Sequence, residues 1–158
     1  NQRGIGSDFI GGANGSGKRF SFGIPAAAKS DTLHLFESAV DLLSYGTLLK
    51  LYGIDWRRDN LLSLAGVYRP KKEISESTLP AALVRYLDEY PHIRKVVLRL
   101  DNDLTGKLAA ETIKTLLPRK YAVEVAVRLS PQGKDYNDCL CLKLGLPITK
   151  RKEKTRER

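Results

Sequence analysis

The sequence predicts an α/β fold in which helices flank a mainly parallel sheet of four strands, with a β-hairpin before it. Short apolar runs alternate with longer amphipathic runs along most of the chain, which is typical of βα units on a parallel sheet. Near the start, a turn rich in Gly, Asn and Ser separates two strand-like runs. With 158 residues, 42% of them hydrophobic, the chain has enough apolar surface for one domain with its own core.

The hairpin is predicted from the runs Asp8-Phe9-Ile10 and Arg19-Phe20-Ser21-Phe22, and Pro25 ends it. The turn from Gly12 to Lys18 fits the GxxxxGK pattern of phosphate-binding loops. Arg19, however, stands where such a loop needs Ser or Thr, and a strand-like run follows where a helix must begin. We therefore interpret the segment as a hairpin turn and reject a P-loop nucleotide hydrolase.

Four βα units are predicted after the hairpin. The predicted strands are Thr32 to Phe36, Leu61 to Ala65, Val96 to Leu100 and Tyr121 to Leu129. The predicted helices run from about Glu37 to Tyr52, from Leu79 to just before Pro91, from Leu104 to Leu117 and from Asp135 to Leu144. We expect residues 1–30 to form the hairpin and a connection, 31–147 the main domain, and 148–158 a basic, disordered tail.

The net charge of +9 favours an anionic partner such as nucleic acid. The segment from Lys150 to Arg158 has six basic and two acidic residues, but the body of the domain stays basic without it. No apolar run approaches the roughly 18 to 20 residues that cross a bilayer, and no charged-then-apolar leader opens the chain. We expect a cytoplasmic protein with no membrane partner. The first residue is Asn1, so we also expect further domains in a longer protein.

Acidic residues fall where three predicted strands end. Ligands of open parallel sheets bind beyond the carboxyl ends of the strands, so these residues are expected to share one crevice. The first feature is Glu37 with Asp41, four residues apart on one helix face. The second is Asp101-Asn102-Asp103, in which residues two apart point the same way. The third is the run Gly133-Lys134-Asp135-Tyr136-Asn137-Asp138.

Each feature also has an ordinary structural interpretation. Glu37 suits the first turn of a helix, and Asp103 and Asp135 suit helix N-caps. Two unpaired carboxylates at the mouth of a buried strand would repel each other, which argues for a cation between Asp101 and Asp103. Hard oxygen ligands select Mg²⁺ or Mn²⁺. Lys134 is placed to meet a phosphate.

The order and spacing of the three motifs resemble the Toprim domain, a Rossmann-like fold shared by bacterial primases, topoisomerases and some nucleases. The wording resembles most closely the toprim-like domains of bacterial mobile-element proteins: Phe36 to Tyr45, Leu100 to Asp103 followed by Gly106, and Gly133 to Asp138. The resemblance covers about Leu33 to Leu140. It implies Mg²⁺-dependent or Mn²⁺-dependent phosphodiester chemistry on nucleic acid, with DNA as the expected substrate.

The resemblance also implies roles for single residues. Glu37 corresponds to a glutamate proposed as general acid or base, or as a metal ligand. Asp101 and Asp103 correspond to the metal-binding pair, and Asp41 and Asp135 to the acidic positions that complete the metal site in primase-like relatives. Relatives often have Asp-Pro-Asp where this chain has Asp135-Tyr136-Asn137, so the last ligand stays open.

Three basic residues are expected to steer the nucleic-acid backbone: Arg99, Lys107 and Lys134, of which Lys134 is also expected to take part in catalysis. Lys107 can equally be interpreted as a solvated residue of a helix with no role in binding. Two functions remain open, a metal-dependent nuclease or primase-like nucleotidyltransferase, and a nucleic-acid-binding module without catalysis. Retention of Glu37 and of both aspartates of the metal-binding pair favours the enzyme.

Overall fold

The computed structural model describes residues 22–64, 68 and 70–148. These residues form a five-stranded sheet with helices on both faces. The strands are β1 (Gly23–Ile24), β2 (Thr32–Phe36), β3 (Asn60–Ser63), β4 (Lys95–Leu98) and β5 (Glu124–Val127). The helices are α1 (Ala39–Leu51), α2 (Ala81–Glu89), α3 (Leu104–Lys120) and α4 (Tyr136–Leu144), and a short 3-10 helix (Ile74–Glu76) precedes α2. Within the described segments, no helix has the length and apolar character to cross a membrane.

The strand order is β1-β3-β2-β4-β5, and every neighbouring pair is parallel except β1 with β3. The predicted α/β class and mainly parallel sheet are confirmed. The sheet has one strand more than predicted, because Gly23 and Ile24 pair antiparallel with Leu62 and Leu61 just before Pro25. The predicted hairpin runs up to residue 21 and the basic tail from residue 149 lie outside the described residues.

The central strand β2 faces two separate cores. Leu33 and Leu35 pack on one face with residues of α2 and α3, and Phe36 packs on the other with residues of α1 and α4. In β3 the same alternation separates Leu62 from Leu61. Successive side chains of a strand point to opposite faces, so a strand covered on both sides reads as a continuous apolar run. This explains why the middle of the sheet is recognisable from the sequence.

The three helices that follow β2, β4 and β5 begin at side-chain N-caps. Ser38 has extended backbone angles and accepts a hydrogen bond from the N–H of Asp41 at 3.1 Å. As a result α1 starts two residues later than predicted, and Glu37 lies in the loop rather than in the first helical turn. Asp103 and Asp135 cap α3 and α4.

Candidate metal centre

Acidic side chains converge at the carboxyl ends of β2 and β4, which are neighbours in the sheet. One oxygen each of Asp41, Asp101 and Asp135 lies within 4.8 Å of the other two. Asp41 comes from the first turn of α1, Asp101 from the loop after β4, and Asp135 from the N-cap of α4. The three motifs, which are expected from the sequence to share one crevice, therefore meet at the carboxyl edge of the sheet.

Glu37 and Asp103 belong to the same group of charges. The side chain of Glu37 hydrogen-bonds that of Asp101, and the charge of Asp103 acts on Glu37. The structure thus brings together all of the predicted metal-site residues, which we call the acidic cluster: Glu37, Asp41, Asp101, Asp103 and Asp135. Their role as ligands stays a prediction.

Burial and mutual repulsion raise the pKa of three members of the acidic cluster, Asp101, Asp41 and Glu37. Burial, followed by the charges of Glu37, Asp41, Asp135 and Asp103, raises the pKa of Asp101 from 3.8 to about 8. Burial and the charge of Asp135 raise the pKa of Asp41 to about 6, although hydrogen bonds to its carboxylate oppose this. The pKa of Glu37 is also raised, first by burial and then by Asp103. A cation that relieved this repulsion would therefore bind favourably here.

Hydrogen bonds fix the oxygens of Asp41. Its Oδ2 accepts from Ser38 Oγ at 3.1 Å, and its Oδ1 accepts from the N–H of Asn137 at 3.3 Å. The Asn137 side chain faces α1, where its Oδ1 accepts from Ser44 Oγ at 3.2 Å. Asn137 therefore joins α4 to α1 beside Asp41, and its own oxygen is engaged away from the acidic cluster.

Two glycines allow the loops to approach closely. A Cβ on buried Gly106 would overlap the carbonyl group of Asp101, and one on Gly133 would overlap the Asp138 side chain. Gly133 also has φ of +76°, which an L side chain rarely adopts. The Gly of the Asp-x-Asp-x-x-Gly motif is thus required so that α3 can begin directly against the segment that carries Asp101.

Arg99, two residues before Asp101 in the chain, takes part in a network of hydrogen bonds that local sequence patterns do not indicate. Its Nε donates to His34 Nδ1 at 2.8 Å, and its Nη1 donates to the Tyr136 hydroxyl at 2.8 Å. The guanidinium also stacks 4.5 Å from the Tyr45 ring centroid. His34 in turn donates from Nε2 to Asp59 at 3.0 Å. Because these partners engage the Arg99 side chain inside the fold, we propose it as a structural residue rather than a phosphate contact.

The other two predicted basic residues are exposed. Lys134 Nζ lies 3.9 Å from Asp101 Oδ2 and 3.8 Å from Asp103 Oδ2, so it faces the acidic cluster. Lys107 is in the first turn of α3, and the described ion pairs do not include it. Both side chains are accessible to a phosphate.

The donor set fits a hard divalent cation. All of the candidate ligands are carboxylates, and three of them converge from separate segments onto one position. One ammonium group, that of Lys134, is the only described ion-pair partner of these carboxylates. The excess negative charge in a half-buried crevice is what Mg²⁺ or Mn²⁺ would neutralise.

Fold and site together define an α/β domain with an acidic cluster at the carboxyl edge of a parallel sheet. Residues 34–140, more than half of the chain, match the family described as Toprim-like. The chain belongs to this family, and the resemblance inferred from the three motifs is confirmed.

Solved structures similar to the chain include the crystal structure of the primase fragment of the bacteriophage T7 primase-helicase protein. Sequence identity is 21% and the TM-score is 0.47, and the match covers 73% of this chain and 40% of that chain. The chain thus spans less than half of the length of that fragment. No curated protein matches the chain.

Proposed function

We propose that this chain is the catalytic domain of a nucleic-acid-processing enzyme that uses Mg²⁺ or Mn²⁺ held by the acidic cluster. The observation that carries the proposal is the convergence of Asp41, Asp101 and Asp135 within 4.8 Å. Burial, together with the charges of the neighbouring carboxylates, raises the pKa of Asp101 to about 8, a free-energy cost that a bound cation offsets. The net charge of +9 supports a polyanionic partner.

Each acidic residue has a proposed role. Asp41, Asp101 and Asp135 would hold the cation, with Asp103 and Glu37 completing the set. When bound, the cation supplies charge stabilisation for a phosphoryl group in an in-line displacement. Glu37 would act as general acid or base at its carboxyl group, or as a further ligand of the cation, because its side chain hydrogen-bonds that of Asp101.

Lys134 and Lys107 are proposed to contact the phosphate backbone. Lys134 is exposed beside the acidic cluster, and Lys107 is exposed in the first turn of α3. The reaction is primase-like nucleotidyl transfer or nuclease cleavage. We propose DNA as the substrate and the processing of mobile elements as the setting. The residues of the three motifs resemble those of toprim-like domains in bacterial mobile-element proteins. We also propose a cytoplasmic location, and other domains of a longer protein would be partners.

Calorimetric titration with Mg²⁺ and Mn²⁺ tests the metal site. The comparison is between the chain and its Asp101→Asn/Asp103→Asn variant, because an asparagine in place of Asp103 keeps the N-cap of α3 while the charge is lost. We expect binding by the chain and at least roughly tenfold weaker binding by the variant. Absence of binding by the unmodified chain at millimolar metal would contradict the proposal.

Activity is tested on a labelled single-stranded oligonucleotide, with and without nucleoside triphosphates, so that cleavage and primer synthesis are both detected. Products should require the divalent cation and fall about 100-fold in Glu37→Gln. Glu111→Gln, an exposed change on α3, is the matched control. Oligonucleotide binding without products in either assay would favour the alternative, a catalytically silent nucleic-acid-binding Toprim module.

A further inference from the structure

One basic side chain stands in the acidic cluster. Lys134 Nζ lies almost equally far from Asp101 Oδ2 and Asp103 Oδ2, at 3.9 and 3.8 Å. Across residues 22–64, 68 and 70–148, the ion pairs give these two carboxylates no other basic partner. The ammonium therefore supplies the positive charge that a cation bound to the Asp-x-Asp pair would supply.

We propose that Lys134 is the exchangeable counter-ion of the metal site. Its ammonium lies against Asp101 and Asp103 in the metal-free chain and offsets negative charge of the acidic cluster. A divalent cation displaces it, and the displaced ammonium then contacts the phosphodiester of the bound nucleic acid. This inference rests on the proposed function of the same site, and it gives Lys134 a role before the metal binds as well as after.

The backbone of Lys134 is fixed to the segment that carries the two carboxylates. Its N–H donates to Asp138 Oδ2 at 2.9 Å, and its carbonyl accepts from the N–H of Asn102 at 2.6 Å. Asn102 is the residue between Asp101 and Asp103, and its side-chain amide donates to the carbonyl of Ser130 at the start of the same loop. Exchange of the ammonium for a metal therefore requires rotation of one side chain and no movement of the loop.

The side chain itself is weakly held. It is 47% exposed, whereas that of Asp101 is 13% exposed. Both separations are longer than a hydrogen bond, so charge alone attracts the ammonium to the carboxylates. Ion pairs this exposed contribute little to stability. A divalent cation, with twice the charge, displaces the ammonium easily, while the fixed backbone keeps the freed lysine beside the crevice.

This arrangement predicts opposite effects of one substitution in two binding assays. Lys134→Met removes a positive charge about 4 Å from two carboxylates, so affinity for Mn²⁺ should rise about tenfold. The same variant lacks the freed ammonium, so its affinity for DNA in Mn²⁺ should fall several-fold. A lysine that contacts only phosphate would change the second affinity and leave the first unchanged.

The test uses calorimetry with Mn²⁺ on the 158-residue chain and fluorescence anisotropy with a labelled single-stranded DNA of about 20 nucleotides. The anisotropy measurements use the Glu37→Gln background to suppress turnover, at an Mn²⁺ concentration that saturates this background in calorimetry. Lys134→Arg keeps the charge and should bind Mn²⁺ no more tightly than the unmodified chain. Lys114→Met is the matched control, because Lys114 is exposed on α3, roughly 16 Å along the helix from Asp103 and beyond the Debye length.

Tighter Mn²⁺ binding together with weaker DNA binding in Lys134→Met, and neither effect in Lys114→Met, supports the exchange. Equal or weaker Mn²⁺ binding by Lys134→Met, while the unmodified chain binds Mn²⁺, overturns the exchange and leaves the proposed metal site intact. Failure of every protein to bind Mn²⁺ overturns the proposed function and the exchange with it. Equal gains in Lys134→Met and Lys114→Met would show a general charge effect and would also overturn the exchange.

Discussion

Replacing Asp101 by Asn should stabilise the metal-free chain at alkaline pH and leave its stability unchanged at acid pH. In the metal-free chain Asp101 is half-buried, and burial and four neighbouring carboxylates raise its pKa from 3.8 to about 8. Asn has nearly the same shape and carries no charge. The substitution thus removes the repulsion that the acidic cluster stores in the absence of metal.

The direction follows from proton linkage. The unfolded chain ionises Asp101 near its ordinary pKa of 3.8, whereas the folded chain retains the proton to about pH 8. The folded state binds the proton more tightly, so the free energy of unfolding decreases as pH rises from about 4 to 8 and is constant above that. A tenfold difference in proton affinity is worth about 1.4 kcal/mol, which sets a ceiling of about 6 kcal/mol. Relaxation and water entry reduce this cost, and we expect a gain of about 2 to 3 kcal/mol for the variant at alkaline pH.

Urea unfolding in EDTA at several values between about pH 5 and 8.5 measures this difference. Glu111→Gln, an exposed carboxylate on α3, removes the same charge elsewhere and should show little change. A difference between Asp101→Asn and the unmodified chain that stays constant with pH would refute the reasoning, as would a less stable variant at pH 8.5. Mg²⁺ should narrow this difference, because a ligand at about 100 times its Kd stabilises the folded state by about 2.7 kcal/mol and the variant, which lacks one carboxylate, binds Mg²⁺ more weakly.

Three further results are expected. Gly106→Ala places a Cβ against the Asp101 carbonyl and should reduce the free energy of unfolding by about 3 kcal/mol in urea titrations. Asp135→Asn keeps an N-cap for α4 but removes a charge, so calorimetry should show at least about tenfold weaker Mn²⁺ binding without loss of stability in EDTA. Burial and the charge of Arg99 lower the pKa of His34 to about 4, so its ring should stay neutral by NMR down to about pH 5. Its contribution to stability is complete above pH 6.5 and is lost as pH falls towards 4.

Each of these results has a contrary outcome. Unchanged stability of Gly106→Ala would mean that α3 and the Asp101 segment separate without cost. Unchanged Mn²⁺ affinity of Asp135→Asn would leave Asp135 as a helix cap alone. Protonation of His34 above pH 6 would show that its ring nitrogen is not held by Arg99 as the geometry requires.

The parts of the fold that the sequence predicts are those with a strong local pattern. The runs at Thr32 to Phe36 and Val96 to Leu100 are mostly apolar, and each is followed by acidic residues at the strand end. β1 has no such pattern, because two residues, Gly23 and Ile24, form it only by completing the ladder of β3. The sequence places the start of α1 too early, because Glu37 suits a first helical turn as well as the Ser38 hydroxyl suits an N-cap.

The role of Arg99 depends on contacts with residues that are far from it in the chain, and local sequence patterns contain no sign of these contacts. Its partners His34 and Tyr136 lie 65 and 37 residues away in the chain. From the sequence, a basic residue two positions before Asp101 is as compatible with a phosphate contact as with an internal network of hydrogen bonds. Only the packing of α1 and α4 on the same face of the sheet distinguishes the two, because it places the rings of Tyr45 and Tyr136 beside the guanidinium.

Helix capping and metal binding, which compete as explanations of the acidic residues in the sequence, are compatible in the structure. Asp103 uses Oδ1 to accept the N–H of Gly106 at 2.8 Å and turns Oδ2 towards Lys134. Asp135 uses Oδ1 to accept the N–H of Asp138 at 2.9 Å, and a cap of this kind occupies one oxygen of a carboxylate. Each cap fixes the side-chain rotamer, so the second oxygen is held in place before any cation arrives. Local helix signals of this kind therefore preorganise the acidic cluster, since ligands locked by their own hydrogen bonds lose less conformational entropy on binding.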